Sequence, residues 1–135
     1  MSYKNLLHET RWLQYPEIEP TAIALGAEPT MLNPLTNTPF YTIPFISDPN
    51  HLTEDGKPTV VSDSIKIARY LDEKYPSERT LIPMGTLALQ GFVFEYFVNS
   101  VIWPSFKLCT RSMAELVPDQ GQAYVSCNLF LTDCD

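Results

Sequence analysis

Three consecutive polar residues, Ser62, Asp63 and Ser64, stand where a β-branched pair, Val60-Val61, gives way to a helical repeat. Behind them Ile65, Ala68 and Leu71 recur every three residues, Ile67 and Tyr70 widen the apolar face, and Pro76 forbids further helix. The spacing predicts a short strand, an acidic hydroxylated turn and a helix. The first amides of a helix have no partner inside it and carry the positive end of its dipole, so the seam offers a seat for a carboxylate. Asp63 beside it offers a counter-charge for an ammonium group. The two seats together suit the α-amino-acid end of a small molecule. All three polar residues are also good N-caps, and on spacing alone plain capping outweighs a ligand site.

The elements that must position this seam are legible on either side of it. Phe40-Tyr41-Thr42-Ile43-Pro44-Phe45-Ile46 is strongly β-prone, with a proline that cannot donate to a ladder. It is therefore an edge strand, or a strand that starts at Pro44, and a cis Ile43-Pro44 bond also fits. Asp48 to Pro58 reads as a long polar connection whose Asp55-Gly56 turn lets Phe45-Ile46 pair antiparallel with Thr59–Val61. Upstream, Met1 to His8 is no more than the tail of a helix. Thr10 to Tyr15 alternates loosely and predicts a strand ended by Pro16, with Trp12 in the core. Glu17 to Leu25 predicts a short helix with Ile18, Ala22 and Leu25 on one face, Pro20 in its first turn and Gly26 just beyond its end. Residues 27–39 read as loop.

Downstream, Ser77 to Gly85 is a linker, and Thr86 to Trp103 is an apolar helix with a narrow wet face of Gln90, Glu95, Asn99 and Ser100. Glu95 and Asn99 in mid-run, and Pro104 at its end, argue against a membrane span. Phe94, Phe97, Val98 and Trp103 suit core packing better than the lining of a pocket. Beyond Pro104 the helical character weakens.

Composition excludes several classes. The chain has 135 residues, a single-domain length, and 9 Lys+Arg against 16 Asp+Glu. No basic run exists, so there is no footprint for nucleic acid or an anionic membrane. Cys109, Cys127 and Cys134 are odd in number and lack metal-ligand spacing, which excludes a disulfide framework and a zinc site. His8 and His51 stand alone and read as surface residues. The N-terminus lacks the apolar run of a secretory signal, making the cytoplasm the expected location.

Thr42 to Ile46, Val61 to Ile65, Ile67 to Pro76 and Leu81-Ile82-Pro83, in this order and at these separations, resemble the N-terminal domain of the glutathione S-transferases. Trp12 to Glu19, Tyr41 to Pro44 and Gly85 to Gln90 look like fungal transferases related to the bacterial β-etherases. The resemblance runs from about Tyr3 to Tyr124. It implies an α/β fold. Residues 1–83 would form a thioredoxin-like glutathione-binding domain lacking its first strand and most of its first helix. Residues 84–124 would begin an all-α C-terminal domain, and residues 125–135 would be an unrelated, disordered tail. The missing strand would leave a gap between Thr10–Tyr15 and Phe40–Ile46.

The resemblance also implies roles. Pro44 would be the family's cis proline, and Ile43 would pair its N–H and C=O with the cysteinyl part of glutathione, as an added strand does. Ser64 and the helix start would hold the γ-glutamyl carboxylate, and Asp63 the ammonium. The family reaction, of the detoxification type, is attack of an activated glutathione thiolate on a hydrophobic electrophile or ether. It uses glutathione as co-substrate, with no cofactor or metal, and the family usually forms homodimers. The family's thiol-activating residue precedes the counterpart of Tyr3, so no catalytic residue is carried over. The expectation is a truncated or mis-spliced chain, inactive as it stands. The alternatives are a non-catalytic module for glutathione or small hydrophobes, and a transferase-like interaction domain.

Overall fold

Phe45-Ile46 pairs antiparallel with the segment around Val60-Val61, as the Asp55-Gly56 turn predicts. In the computed structural model, which describes residues 1–33, 36–105 and 108–109, strands β3 (Phe45–Leu52) and β4 (Pro58–Ser62) form an antiparallel hairpin. Phe45 lies opposite Ser62, Ile46 opposite Val61 and Ser47 opposite Val60. The turn closes at Asp55-Gly56, with Gly56 at φ +74, a left-handed conformation that glycine adopts freely. Helix α2 (Ser64–Lys74) packs against β4 and β3 and buries Ile67 and Leu71. Each such side chain contributes roughly 1.5–3 kcal/mol when fully buried. The helix stops one residue before Tyr75, whose N–H bonds the Leu71 carbonyl at 3.1 Å.

The region from Asp48, expected as loop, instead continues β3 to Leu52. Register slips between the Asp48–Thr59 and Leu52–Pro58 pairs, and such an irregularity tolerates Pro49, which has no N–H to give. Asp48 itself is only 6% exposed. It accepts hydrogen bonds from the Tyr70 phenol at 2.8 Å, the Asn50 N–H at 3.0 Å and the Tyr75 phenol at 2.7–2.8 Å. His51 Nδ1 lies 2.9 Å from its Oδ2. Burial alone would raise the Asp48 pKa, but the bonds from Tyr75, Tyr70, His51 and Asn50 outweigh it and hold it at about 2. Tyr70 is pushed up to about 12, first by burial and then by Asp48. His51, expected as a lone surface residue, is thus half-buried in this cluster, edge-on to Tyr75 at 5.2 Å.

A second carboxylate ties the ends of this unit together. Asp72 accepts from Lys4 Nζ at 2.7 Å, the Leu81 N–H at 2.9 Å and the Ile82 N–H at 2.8 Å. Burial pushes its pKa up, and these donors more than reverse the effect, leaving it lowered. Lys4 ends a single 3₁₀ turn, Ser2–Lys4, with its side chain 1% exposed, and also donates to the Arg79 carbonyl at 3.1 Å.

Helix α1 (Tyr15–Leu25) begins two residues earlier than its periodicity predicts and buries Ile18 and Ala22. Pro16 opens this helix instead of ending a strand, because the first turn has no use for its missing N–H. Pro20 consequently falls inside the helix. Gly26, at φ +78, sits just past its end as expected. The strand expected over Thr10–Tyr15 does not form, and Trp12 is 88% exposed. A lone extended segment gains no ladder bonds, and neither sheet among the described residues includes it. Two short strands, β1 (Met31–Leu32) and β2 (Pro39–Phe40), pair antiparallel across the expected loop, and the expected strand Phe40–Ile46 is interrupted over residues 41–44.

By contacts the chain divides into a unit of Met1–Leu13 with Glu17–Ile82 and a second of Gln14–Pro16 with the chain from Pro83. In the second, helix α3 (Leu87–Phe97) runs into a π-helical turn, Val98–Ile102. Neither has a buried residue. Phe94, Phe97 and Trp103, expected in a core, are therefore exposed. An apolar surface on nearly every side needs more cover than one face of a neighbour supplies. Among the described residues, no helix is long and apolar enough to cross a membrane. The expected tail over residues 125–135, with Cys127 and Cys134, lies outside the described residues.

Two outcomes test these ties. Replacing Lys4 by Ala should cost about 2–3 kcal/mol in urea unfolding, because it strands a largely buried carboxylate that keeps only its two amide donors. The Asp48 contribution should be complete above its ordinary pKa of 3.8 and vanish as pH falls through about 2. Stability curves of wild type and Asp48→Asn should converge at the acid end of that window.

Candidate functional site

The register of the hairpin decides where the seam points. With Phe45 opposite Ser62, the next residues outward on the two chains are Pro44 and Asp63, followed by Ile43 and Ser64. The four residues singled out in the sequence thus gather at one end of the β3–β4 ladder. The Ile43-Pro44 peptide is cis. Before it, the Thr42 N–H and hydroxyl bond Thr30 Oγ1 at 3.3 and 2.8 Å, continuing the β1–β2 pair. Ile43, 55% exposed, stands between the two ladders and belongs to neither. Its backbone N–H and C=O take part in neither ladder.

The helix start is more particular than its sequence indicates. Asp63 holds φ 78, ψ 131, a region that costs a residue with a Cβ roughly 1–3 kcal/mol. Its Oδ1 accepts from the Ile65 N–H at 2.9 Å and the Lys66 N–H at 3.0 Å. Its carbonyl accepts from the Ile67 N–H at 2.8 Å. Asp63 is thus the N-cap, and two of the amides expected to be open are taken by its own side chain. What the seam still offers is the Ser64 N–H, the exposed Ser64 hydroxyl, the dipole behind them and the second carboxylate oxygen of Asp63. Ser62, the third capping candidate, is buried as the last residue of β4. Donors for an anion and an acceptor for a cation stand side by side.

No protein-family model matches the sequence, and neither does any curated protein. Solved structures do match. Over 94% of its length the chain aligns with a glutathione S-transferase of Ceriporiopsis subvermispora, solved in complex with glutathione, at TM-score 0.80 and 34% identity. A glutathione transferase of Phanerochaete chrysosporium aligns with 93% of the chain at TM-score 0.80 and 34% identity. A second Ceriporiopsis subvermispora transferase, also in complex with glutathione, aligns with 91% at TM-score 0.77 and 30% identity. Over most of its length the chain is similar to fungal glutathione S-transferases. It covers 48%, 47% and 45% of those three chains, about half their length. Its hairpin and packed helix are part of the transferases' thioredoxin-like fold.

Other chemistry-bearing residues fall elsewhere in the chain. Among the described residues no group of three or more His, Cys, Asp or Glu could hold a metal ion. Cys109 is a free, exposed thiol. The Asp48 cluster escapes a reading by periodicity because Pro49 interrupts the alternation just where the strand turns its carboxylate inward. The only sequence signal for it is the Asp-Pro-Asn run itself, whose Asp bonds the N–H two residues on.

Replacing Asp63 by Ala should lower stability by about 1–2 kcal/mol, because two helix amides lose their acceptor. Asp63→Asn retains a side-chain oxygen and tolerates positive φ, so it should stay within about 0.5 kcal/mol of wild type. Thermal unfolding of the two variants checks the difference.

Proposed function

We propose that this chain binds glutathione across the open end of the β3–β4 hairpin. Ile43 pairs its backbone with the cysteinyl unit, beside Pro44. The Ser64 N–H and hydroxyl hold the γ-glutamyl carboxylate, helped by the α2 dipole. Asp63 faces the α-ammonium while its other oxygen caps the helix. The observation that supports this reading is the ladder register, which brings the backbone of Ile43 and the start of α2 to the same end of one hairpin. Its support from outside is the likeness to transferase structures that hold glutathione.

The reaction proposed for the whole protein is attack of the glutathione thiolate on a hydrophobic electrophile. A free thiol has a pKa of about 8.5 and is mostly protonated at neutral pH. A hydroxyl or amide donor aimed at the sulfur stabilises the thiolate and makes it an effective nucleophile. The four residues named here hold and orient the tripeptide, and activation of its sulfur is a separate task. The exposed apolar residues of α3 offer material for an electrophile pocket or a homodimer contact. A cytoplasmic location and a detoxification role accord with this chemistry, which calls for no metal or cofactor.

Calorimetric titration with glutathione tests the reading. Wild type should bind with saturation. Asp63→Asn should bind about tenfold or more weakly while remaining folded, since only the counter-charge of a charge-assisted contact is lost. Cysteinylglycine, which lacks the γ-glutamyl unit, should lose most of the affinity and show no difference between the two proteins. Equal glutathione affinity in wild type and Asp63→Asn would contradict the assignment.

A further inference from the structure

We propose that Asp48, gripped by the phenols of Tyr70 and Tyr75, is the positioning group of the binding site: it sets the angle of α2 on the hairpin and so the spacing of Ser64 from Ile43. The proposal rests on the glutathione reading above and concerns residues that would not touch the ligand. Asp48 lies three residues along β3 from Phe45, about 10 Å at the usual strand rise. Tyr70 lies six residues along α2 from Ser64, about 9 Å at the helical rise. The clamp therefore ties the two elements at matching distances behind the site.

At the site end, α2 joins the hairpin only through the turn at Asp63. A helix fastened at one end can swing and rotate about its axis. The apolar contact made by Ile67 and Leu71 opposes separation but is non-directional, so it resists sliding poorly. Hydrogen bonds are directional. Two phenols five positions apart on the chain, one within α2 and one at its C-cap, converge on a single carboxylate with contacts of 2.7–2.8 Å. That geometry fixes both the distance and the rotation of the helix. Asp48 is in turn held on its own strand by the Asn50 N–H and by His51, so the anchor does not move with the helix. A ligand spanning Ile43 and Ser64 meets both elements, and its affinity depends on their relative placement.

The test is glutathione calorimetry at about 10 °C on wild type, Tyr70→Phe, Tyr75→Phe, the double variant and Thr53→Val. Stoichiometry reports the folded fraction, and the Kd of the molecules that bind reports positioning. Each tyrosine variant should raise Kd about threefold or more, within the range by which non-contacting residues modulate binding. Asp48→Asn added to the double variant should bring little further loss, because the three groups act as one unit. Thr53→Val, which loosens the hairpin turn without touching the clamp, should keep Kd within about twofold. An unchanged Kd in the tyrosine variants, whatever their thermal stability, overturns the positioning role. So does a Thr53→Val effect as large as theirs. A wild-type chain that ignores glutathione overturns the binding reading beneath it, and this proposal with it.

Discussion

One antiparallel ladder holds the two halves of the site together. Side chains alternate across a strand, and a slip of one residue would invert every one of them. With Phe45 fixed opposite Ser62, the chain leaving β4 must enter its turn beside the chain arriving at β3. Val60 and Val61 are half-buried, as are Phe45 and Ile46 on the partner strand, so the register has an apolar stake. The strained backbone of Asp63 follows from this geometry. The chain must turn from the end of β4 straight into α2 within one residue, and three hydrogen bonds to Asp63 hold the conformation. A residue forced to cap the helix cannot also leave all its amides open, which is why the seat that remains is narrow and centred on Ser64.

Behind the site, two buried carboxylates apply the same physical rule in different places. A carboxylate removed from water is costly unless donors surround it, and once surrounded it becomes a rigid junction. Asp48 collects donors from β3 and from the end of α2. Asp72 collects them from the first turn of the chain and from the segment that follows α2. Both therefore join segments distant in sequence, Lys4 to Asp72 spanning 68 positions. The small apolar core of this unit includes Ile18, Ala22, Ala27, Ile67 and Leu71. Polar junctions of this kind supply the directional restraint that so few buried apolar residues cannot.

Much of this was legible in the sequence, and the failures have causes. The β4–α2 seam was readable because a β-branched pair, a run of capping residues and an apolar helical repeat all agree. Gly26 and the pairing of Phe45-Ile46 with Val60-Val61 were readable for the same reason, local chemistry and pattern pointing one way. Thr10 to Tyr15 misled because alternation signals strand only where a partner exists to pair with it. Pro16 misled because a proline ends a strand and starts a helix equally well. Asp48, Lys4 and His51 were invisible because their partners lie far along the chain or across a bulge, and no local periodicity encodes that. The positive φ of Asp63 had no signal beyond the tolerance of Asp for such conformations. The family likeness, by contrast, was carried by the order of several weak motifs, each insufficient alone.

The central proposal is that one small molecule engages the backbone at Ile43 and the start of α2 at the same end of the β3–β4 hairpin. Its most direct test is to follow backbone amide resonances while glutathione is added. The account predicts saturable shifts at Ile43 and Ser64 with a common Kd, and small changes at Asn5 and Gly56, at the far points of the same unit. Saturation that leaves Ile43 and Ser64 unmoved, or moves them with different affinities, would contradict it.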